Sequence, residues 1–244
     1  MLSLSNVKKI ASLKSTRYRQ KYGQFTVEGR KGVDELIHSN FKVEFILATK
    51  TYADRWGVPE QTLIVTDAEM KLISAFTTAP GILAVAEIRT FTMDAIDPQA
   101  PITLVLDGIS DPGNLGTLIR TADWFGIHQI VLSPDCTDFY NPKALSATMG
   151  SFTRPTFVYT ELSTFLKDKN TMGCLLDGTD IAEVRPEMPL YLVVGSESHG
   201  IRPELVKQMK HKVTIPGYGH AESLNAAVAA GIVMEKMARA AFSK

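Results

Sequence analysis

From Gln24 onward, short β-rich runs alternate with segments whose apolar residues recur at helical spacing: QFTVEG, RKGVDELIHS, VEFILAT, TLIVT, DAEMKLISAF and GILAVAEI. Strands separated by helix-length segments predict a layered α/β unit over residues 1–88. Residues 89–101, RTFTMDAIDPQAP, show no clear periodicity, hold two prolines and mix polarities, so a linker is expected there. Alternation then resumes over 102–244. Strands are predicted at ITLVLDG, QIVLS, MGCLLDG, LYLVVG and KVTIP, with helices near 116–125, 142–149, 162–169, 203–209 and 223–242. These strands are apolar without strict alternation, which predicts a mostly parallel sheet buried on both faces. Ligands of such sheets bind beyond the carboxyl ends of strands, so the loops after Leu106, Val194 and Ile215 are the places to look.

Composition narrows the class without naming a partner. A chain of 244 residues that is 45% hydrophobic has ample material for a packed core. Its 26 Lys plus Arg balance 26 Asp plus Glu, so net charge says nothing about nucleic acid. Distribution says more: no acidic residue precedes Glu28, yet Lys8, Lys9, Lys14, Arg17, Arg19 and Lys21 do, and Arg30 and Lys31 follow at once. A solvated helix face, a phosphate-contacting surface and an organellar transit peptide are three readings of that segment. No secretory signal pattern is present, and the longest apolar or small stretch, 226–234, is far short of the ~20 residues of a membrane span. Cys136 and Cys174 stand without CxxC spacing or nearby histidines, which argues for neither a metal site nor a disulfide. Two buried thiols in a reducing, cytoplasmic setting are expected.

The three loops hold the unusual residues. In DGISDPGNLGTLIRTADWFG, Asp107 ends a strand, Asp111 and Pro112 make a turn, and Asn114 is expected to cap the following helix. Leu115, Leu118, Ala122 and Phe125 form its apolar stripe, leaving Thr117, Arg120 and Trp124 on another face. In LYLVVGSESHGI, a buried strand runs into Gly195, whose missing side chain permits close backbone approach, and places Glu197 near the strand end. This is no phosphate loop, because Ile201 and Arg202 stand where Lys and Ser/Thr are required. In TIPGYGHAESLNAAVAAGIVMEKMA, Gly217 and Gly219 come near a dinucleotide fingerprint, but Glu222 occupies the position of its last glycine. Ser223 is expected to cap, or begin, an Ala- and Gly-rich helix against which another backbone can pack closely.

Taken in order and spacing, DGISDPGNLGTLIRTADWFGI, LVVGSESHGI and IPGYGHAESLNAAVAAGI resemble the three motifs of the SpoU/TrmH family of RNA 2'-O-ribose methyltransferases. KYGQFTVEGRKGVDELI resembles, more loosely, the small RNA-binding domain that many members carry ahead of the catalytic one. The resemblance implies an α/β fold whose C-terminal part threads a deep trefoil knot, preceded by a small α/β RNA-binding domain, in a homodimer. It implies S-adenosylmethionine as cofactor, held by backbone atoms at Gly195, Ile215 and Leu224. Arg120, Asn114, Glu197, Ser223 and Asn225 match the family's functional positions. Ala226 and Ala227 follow SLN where many members have Val and Ser, so one hydroxyl contact is in doubt.

The implied chemistry is methyl transfer to a ribose 2'-hydroxyl. That hydroxyl is a poor nucleophile at neutral pH, so catalysis must orient it in line with the methyl group and assist loss of its proton. The family's arginine is often cast as general base, although a guanidinium ordinarily stays protonated. Arg120 is therefore expected either to hold the neighbouring phosphate and the developing alkoxide or to take the proton. Asn114 and Glu197 would fix the arginine and ribose; Ser223 and Asn225 would order the cofactor loop and pocket. Lys8, Lys9, Arg17, Arg19 and Arg30 are the expected RNA contacts, with ribosomal RNA favoured over tRNA. Two other readings remain: a non-catalytic ribosome assembly factor, and a nucleotide-binding oxidoreductase, which lacks both a complete fingerprint and the acidic ribose-binding residue.

Overall fold

In the computed structural model, which describes residues 2–242, the amino-terminal part runs α1 (Leu4–Ser12), α2 (Thr16–Tyr22), β1 (Gln24–Glu28), α3 (Arg30–Ile37), β2 (Val43–Thr49), α4 (Lys50–Trp56), β3 (Leu63–Val65), α5 (Asp67–Ile73) and β4 (Ile82–Glu87). Then follow β5 (Ile102–Asp107), α6 (Pro112–Trp124), β6 (Gln129–Leu132), α7 (Pro142–Thr148), β7 (Thr156–Tyr159), α8 (Leu162–Phe165) and β8 (Thr171–Asp180). The chain finishes with β9 (Leu190–Gly195), α9 (Pro203–Val206), β10 (His211–Thr214) and α10 (Ala226–Phe242). Two compact units result. One takes the chain through Arg89 together with Asp138–Thr153; the other takes Thr90–Thr137 and the chain from Arg154 onward.

The first unit is built on a mixed sheet in the order β1-β4-β2-β3, antiparallel except where β2 meets β3. Leu47, Leu83 and Val85 from the sheet meet Val7, Ile10 and Leu13 of the α1 region and Met70 and Ile73 of α5 in one apolar core. α5 begins where the sequence offers a capping box, Thr66 accepting from the Glu69 N–H at 3.2 Å while Glu69 accepts from the Thr66 N–H at 2.8 Å. On the other side Phe25, Phe41, Tyr140 and Phe152 form an aromatic cluster with ring centroids 4.4–6.5 Å apart. That cluster draws Asp138–Thr153, expected in the second unit, into the first: α7 packs on β1 and α3. The expected linker is structured too. Arg89 belongs to the first unit, Met93–Ala95 form a 3-10 turn, and Ile96 is buried in the core of the second.

The second unit is an all-parallel sheet in the order β10-β8-β9-β5-β6-β7. Every residue of β5, β6 and β9 is buried, which is why their sequences lack alternation. Val105, Val131, Val158 and Val193 pack with Leu162, Leu205 and Met209 on one face. α6 and α10 pack against each other, with α10 also meeting β5, β8 and β9. Two helix starts differ from expectation: α6 begins at Pro112 rather than 116, and α10 at Ala226 rather than 223.

Candidate active site

The end of β5 is fixed by an ion pair that joins two of the three loops. Asp107 is 1% exposed, and a carboxylate this deep requires donors. Arg202, just past the second loop, supplies them: its backbone N–H and its Nε donate to Asp107 at 2.8 Å and 2.7 Å. Its Nη2 lies 2.6 Å from the same carboxylate as an ion pair rather than an aligned hydrogen bond. The hydrogen bond to Asp107 raises the Arg202 guanidinium above its ordinary value. The turn behind is pinned as well, Gly108 N–H donating to Ser133 Oγ at 2.9 Å and Ile109 N–H to Cys136 Sγ at 3.3 Å. Burial pushes the thiols up, Cys136 in direction and Cys174 to about 12. Cys136 is buried as expected, whereas Cys174 is only partly so.

Asp111, not Asn114, caps α6: its side chain accepts from the Asn114 N–H at 2.9 Å, with Pro112 in the first turn where its missing N–H costs nothing. Asn114 sits in that first turn instead, and its side chain is free to reach across loops. Its Nδ2 donates to Glu197 Oε1, and its Oδ1 accepts from Asn225 Nδ2 at 3.0 Å. One amide thus ties together the loops after β5, β9 and β10.

The second loop is closed on itself. Ser196 and Gly200 exchange N–H···O bonds of 3.2 Å and 2.9 Å. A Cβ at Gly195 would stand 2.1 Å from the Gly200 carbonyl carbon and 2.2 Å from the Ile201 nitrogen, so only glycine fits. The third loop is open. Among the described residues, the backbone of 215–224 makes no hydrogen bond, and 217–225 are exposed. Asn225, rather than Ser223, caps α10, accepting from Ala227 N–H at 3.0 Å and Val228 N–H at 3.3 Å. Ser223 and Leu224 are exposed and Ile215 half-buried. A closed glycine turn beside an unpaired stretch of peptide groups is a fitting cradle for a cofactor held by backbone atoms.

Of the expected site residues, Asn114, Glu197 and Asn225 are therefore joined directly. Arg120 is not: it is exposed on another face of α6, about 9 Å further along the axis at 1.5 Å per residue. Beside that face, α6 and α10 leave a groove of about 590 Å³ lined by Thr117, Thr121, Phe125, Val228, Gly231 and Ile232. In the first unit Lys8, Arg17 and Arg30 are exposed, and the Lys9 ammonium lies 5.2 Å over the Tyr22 ring. Arg19 corrects the expected RNA surface. It is 1% exposed, donates to the Leu13 and Lys14 carbonyls at 2.9 Å each, and pairs with Asp138 at 2.5 Å. Asp107 and Arg202 were absent from the expected site. Their signal was an acidic residue closing an otherwise apolar strand, which has to find a partner.

Comparison with known proteins agrees with this geometry. The SpoU rRNA Methylase family matches residues 101–235, and the MRM3-like substrate binding domain matches residues 5–84. The chain is 31% identical to the 23S rRNA (guanosine(2553)-2'-O)-methyltransferase RlmP of Bacillus subtilis, covering 93% of this chain and 94% of that one. It is 32% identical to the 23S rRNA (guanosine-2'-O-)-methyltransferase RlmB of Neisseria meningitidis, covering 89% and 84%. An AdoMet-bound rRNA methyltransferase from Sinorhizobium meliloti superposes with a TM-score of 0.85 at 27% identity, over 100% of this chain and 98% of that one. With its three motif loops tied through Asn114 at the end of a parallel sheet, the chain belongs to the SpoU rRNA Methylase family.

Proposed function

We propose that this protein methylates a ribose 2'-hydroxyl of large-subunit ribosomal RNA, using S-adenosylmethionine. The observation that carries the reading is the amide bridge Asn225–Asn114–Glu197, which gathers the three motif loops at one end of the sheet. Full-length similarity to 23S rRNA 2'-O-methyltransferases supports the substrate, and the likeness to an AdoMet-bound relative supports the cofactor. S-adenosylmethionine supplies an activated methyl group. Gly195, Ile215 and Leu224 would hold it through their peptide groups, the unpaired backbone of 215–224 offering donors and acceptors. The family's trefoil knot is part of this reading, supported by β10 lying beside β8 rather than beside the preceding strand, β9.

For the reaction, the 2'-oxygen must be aimed in line with the methyl group and its proton must leave. Arg120 is exposed and makes no hydrogen bond or ion pair among the described residues. It would hold the neighbouring phosphate and the oxygen as charge develops, a task suited to a planar fork of N–H donors. Asn114 and Glu197 would orient the ribose, with Asn225 and Ser223 ordering the cofactor loop. The exposed apolar residues Val228 and Ile232 beside the α6–α10 groove support a homodimer through this face. Lys8, Lys9, Arg17 and Arg30 remain the candidate RNA contacts, and a cytoplasmic location follows from the substrate. Ligand-induced thermal shift tests the cofactor: S-adenosylmethionine raises the melting temperature and NAD does not. No shift with S-adenosylmethionine, or a shift with NAD alone, would reject the cradle.

A further inference from the structure

With Arg19 turned inward, the first unit offers its most distinctive nucleic-acid surface elsewhere, at the start of α3. β1 runs into Gly29, whose φ of 88° turns the chain, and α3 begins with no side-chain cap. By helix geometry the first-turn N–H groups at Arg30, Lys31 and Gly32 have no partner inside the helix. A cleft of about 300 Å³ opens there, walled by Phe76, Pro80, Leu145 and Met149. Glu28 at its edge is no open cation site, because its two oxygens accept from Ser74 Oγ at 2.5 Å and from the Ala75 N–H at 2.6 Å.

The rim is cationic and aromatic. The guanidinium groups of Arg30 and Arg55 lie 4.4 Å and 4.8 Å over the ring of Trp56, which is 47% exposed. Among the described residues no carboxylate pairs with Arg30, Lys31 or Arg55; nearby Asp54 is paired with Lys50 at 2.5 Å, and Asp34 faces His38 at 3.6 Å. Helix N–H groups and unpaired cations suit a phosphate, and a partly apolar cleft near an exposed indole suits bases. An acidic peptide would satisfy the cations but leave the cleft and the indole unused.

From this geometry we infer that an unpaired nucleotide of the RNA docks at the start of α3, its base in the cleft and its phosphate on Arg30 and Lys31, with an adjoining base stacked on the layer that Trp56 forms with the guanidinium groups of Arg30 and Arg55. The inference rests on the proposed RNA methylation and adds where the first unit takes hold of its substrate. Filter binding of the full chain to protein-free large-subunit ribosomal RNA, repeated across salt concentrations, tests it. Trp56→Ala lowers affinity about tenfold at every salt concentration, the loss of one stacked base. The double change Arg30→Ala with Lys31→Ala also lowers the steepness of the salt dependence, by about 0.7 per cation lost. A competing single strand of about 12 nucleotides displaces the RNA, and a duplex of equal length does not.

Wild-type affinity in these variants, a loss confined instead to Lys8→Ala, Lys9→Ala and Arg17→Ala, or equal competition by the duplex would each overturn the docking. Melting temperatures with and without S-adenosylmethionine separate the two levels. Unchanged RNA affinity in variants that still respond to the cofactor removes this surface alone. A wild-type chain that neither responds to the cofactor nor retains the RNA removes the proposed function with it.

Discussion

The guanidinium of Arg19 is committed within the first unit, to Asp138, to Thr16 and to two backbone carbonyls that end α1 and open α2. Removing it strands a carboxylate and two acceptors, so Arg19→Ala should cost about 3 kcal/mol in urea unfolding. Because the group never meets solvent, the salt dependence of RNA binding should stay as in the wild type. Unchanged stability with a flatter salt dependence would return Arg19 to the RNA surface. Nothing local distinguished it from Arg17 or Lys21, since its partner Asp138 lies far along the chain. Glu28 makes a second prediction at this scale. Burial raises its carboxyl above the ordinary range, against the opposing pull of its two hydrogen bonds and Lys14. A raised folded value favours the neutral acid. Its contribution is therefore full below the unfolded value of about 4.3 and is lost as pH rises through the folded one. Thermal unfolding of Glu28→Gln should show an advantage over wild type above neutrality that shrinks on acidification; an advantage independent of pH would contradict this.

At the scale of elements, α6 and α10 decide how the site is assembled. The start of α6 was legible in principle, because Asp followed by Pro is a strong signal for a cap and first helical residue. With Asp111 as the cap, the Asn114 side chain is left to bridge three loops. The start of α10 was harder: Ser223 and Asn225 are both good caps, and only the fold shows Asn225 accepting from the first turn. Asn225→Ala should therefore lose about 1 kcal/mol of helix capping, and with it one strand of the bridge, raising the KM for S-adenosylmethionine. The exposed side of the same helix carries the dimer prediction. If the proposed dimer forms through this face, the wild type should sediment as a dimer and Ile232→Glu, at a position 42% exposed, as a folded monomer. A wild-type monomer, or a dimer untouched by the charge, would remove this face from the assembly.

At the scale of the molecule, the parallel sheet and its three loops were readable because apolar strands and glycine-marked ends are local patterns. The division of the chain was not, since Phe139, Tyr140 and Phe152 lie in sequence between β6 and β7 yet belong to the first unit, where Tyr140 and Phe152 pack with Phe25 and Phe41. Local periodicity carries no information about such distant pairing. Nor could it reveal that Asp107 and Arg202 clamp the first two loops together. What the whole assembly is built to do is move one methyl group, and the central claim is tested by following that group. Labelled S-adenosylmethionine should transfer its methyl to a ribose 2'-oxygen of large-subunit ribosomal RNA from cells lacking the protein. Arg120→Ala should bind the cofactor as before and transfer at least about a hundredfold more slowly. Label on a base, or undiminished transfer by the variant, would contradict the account.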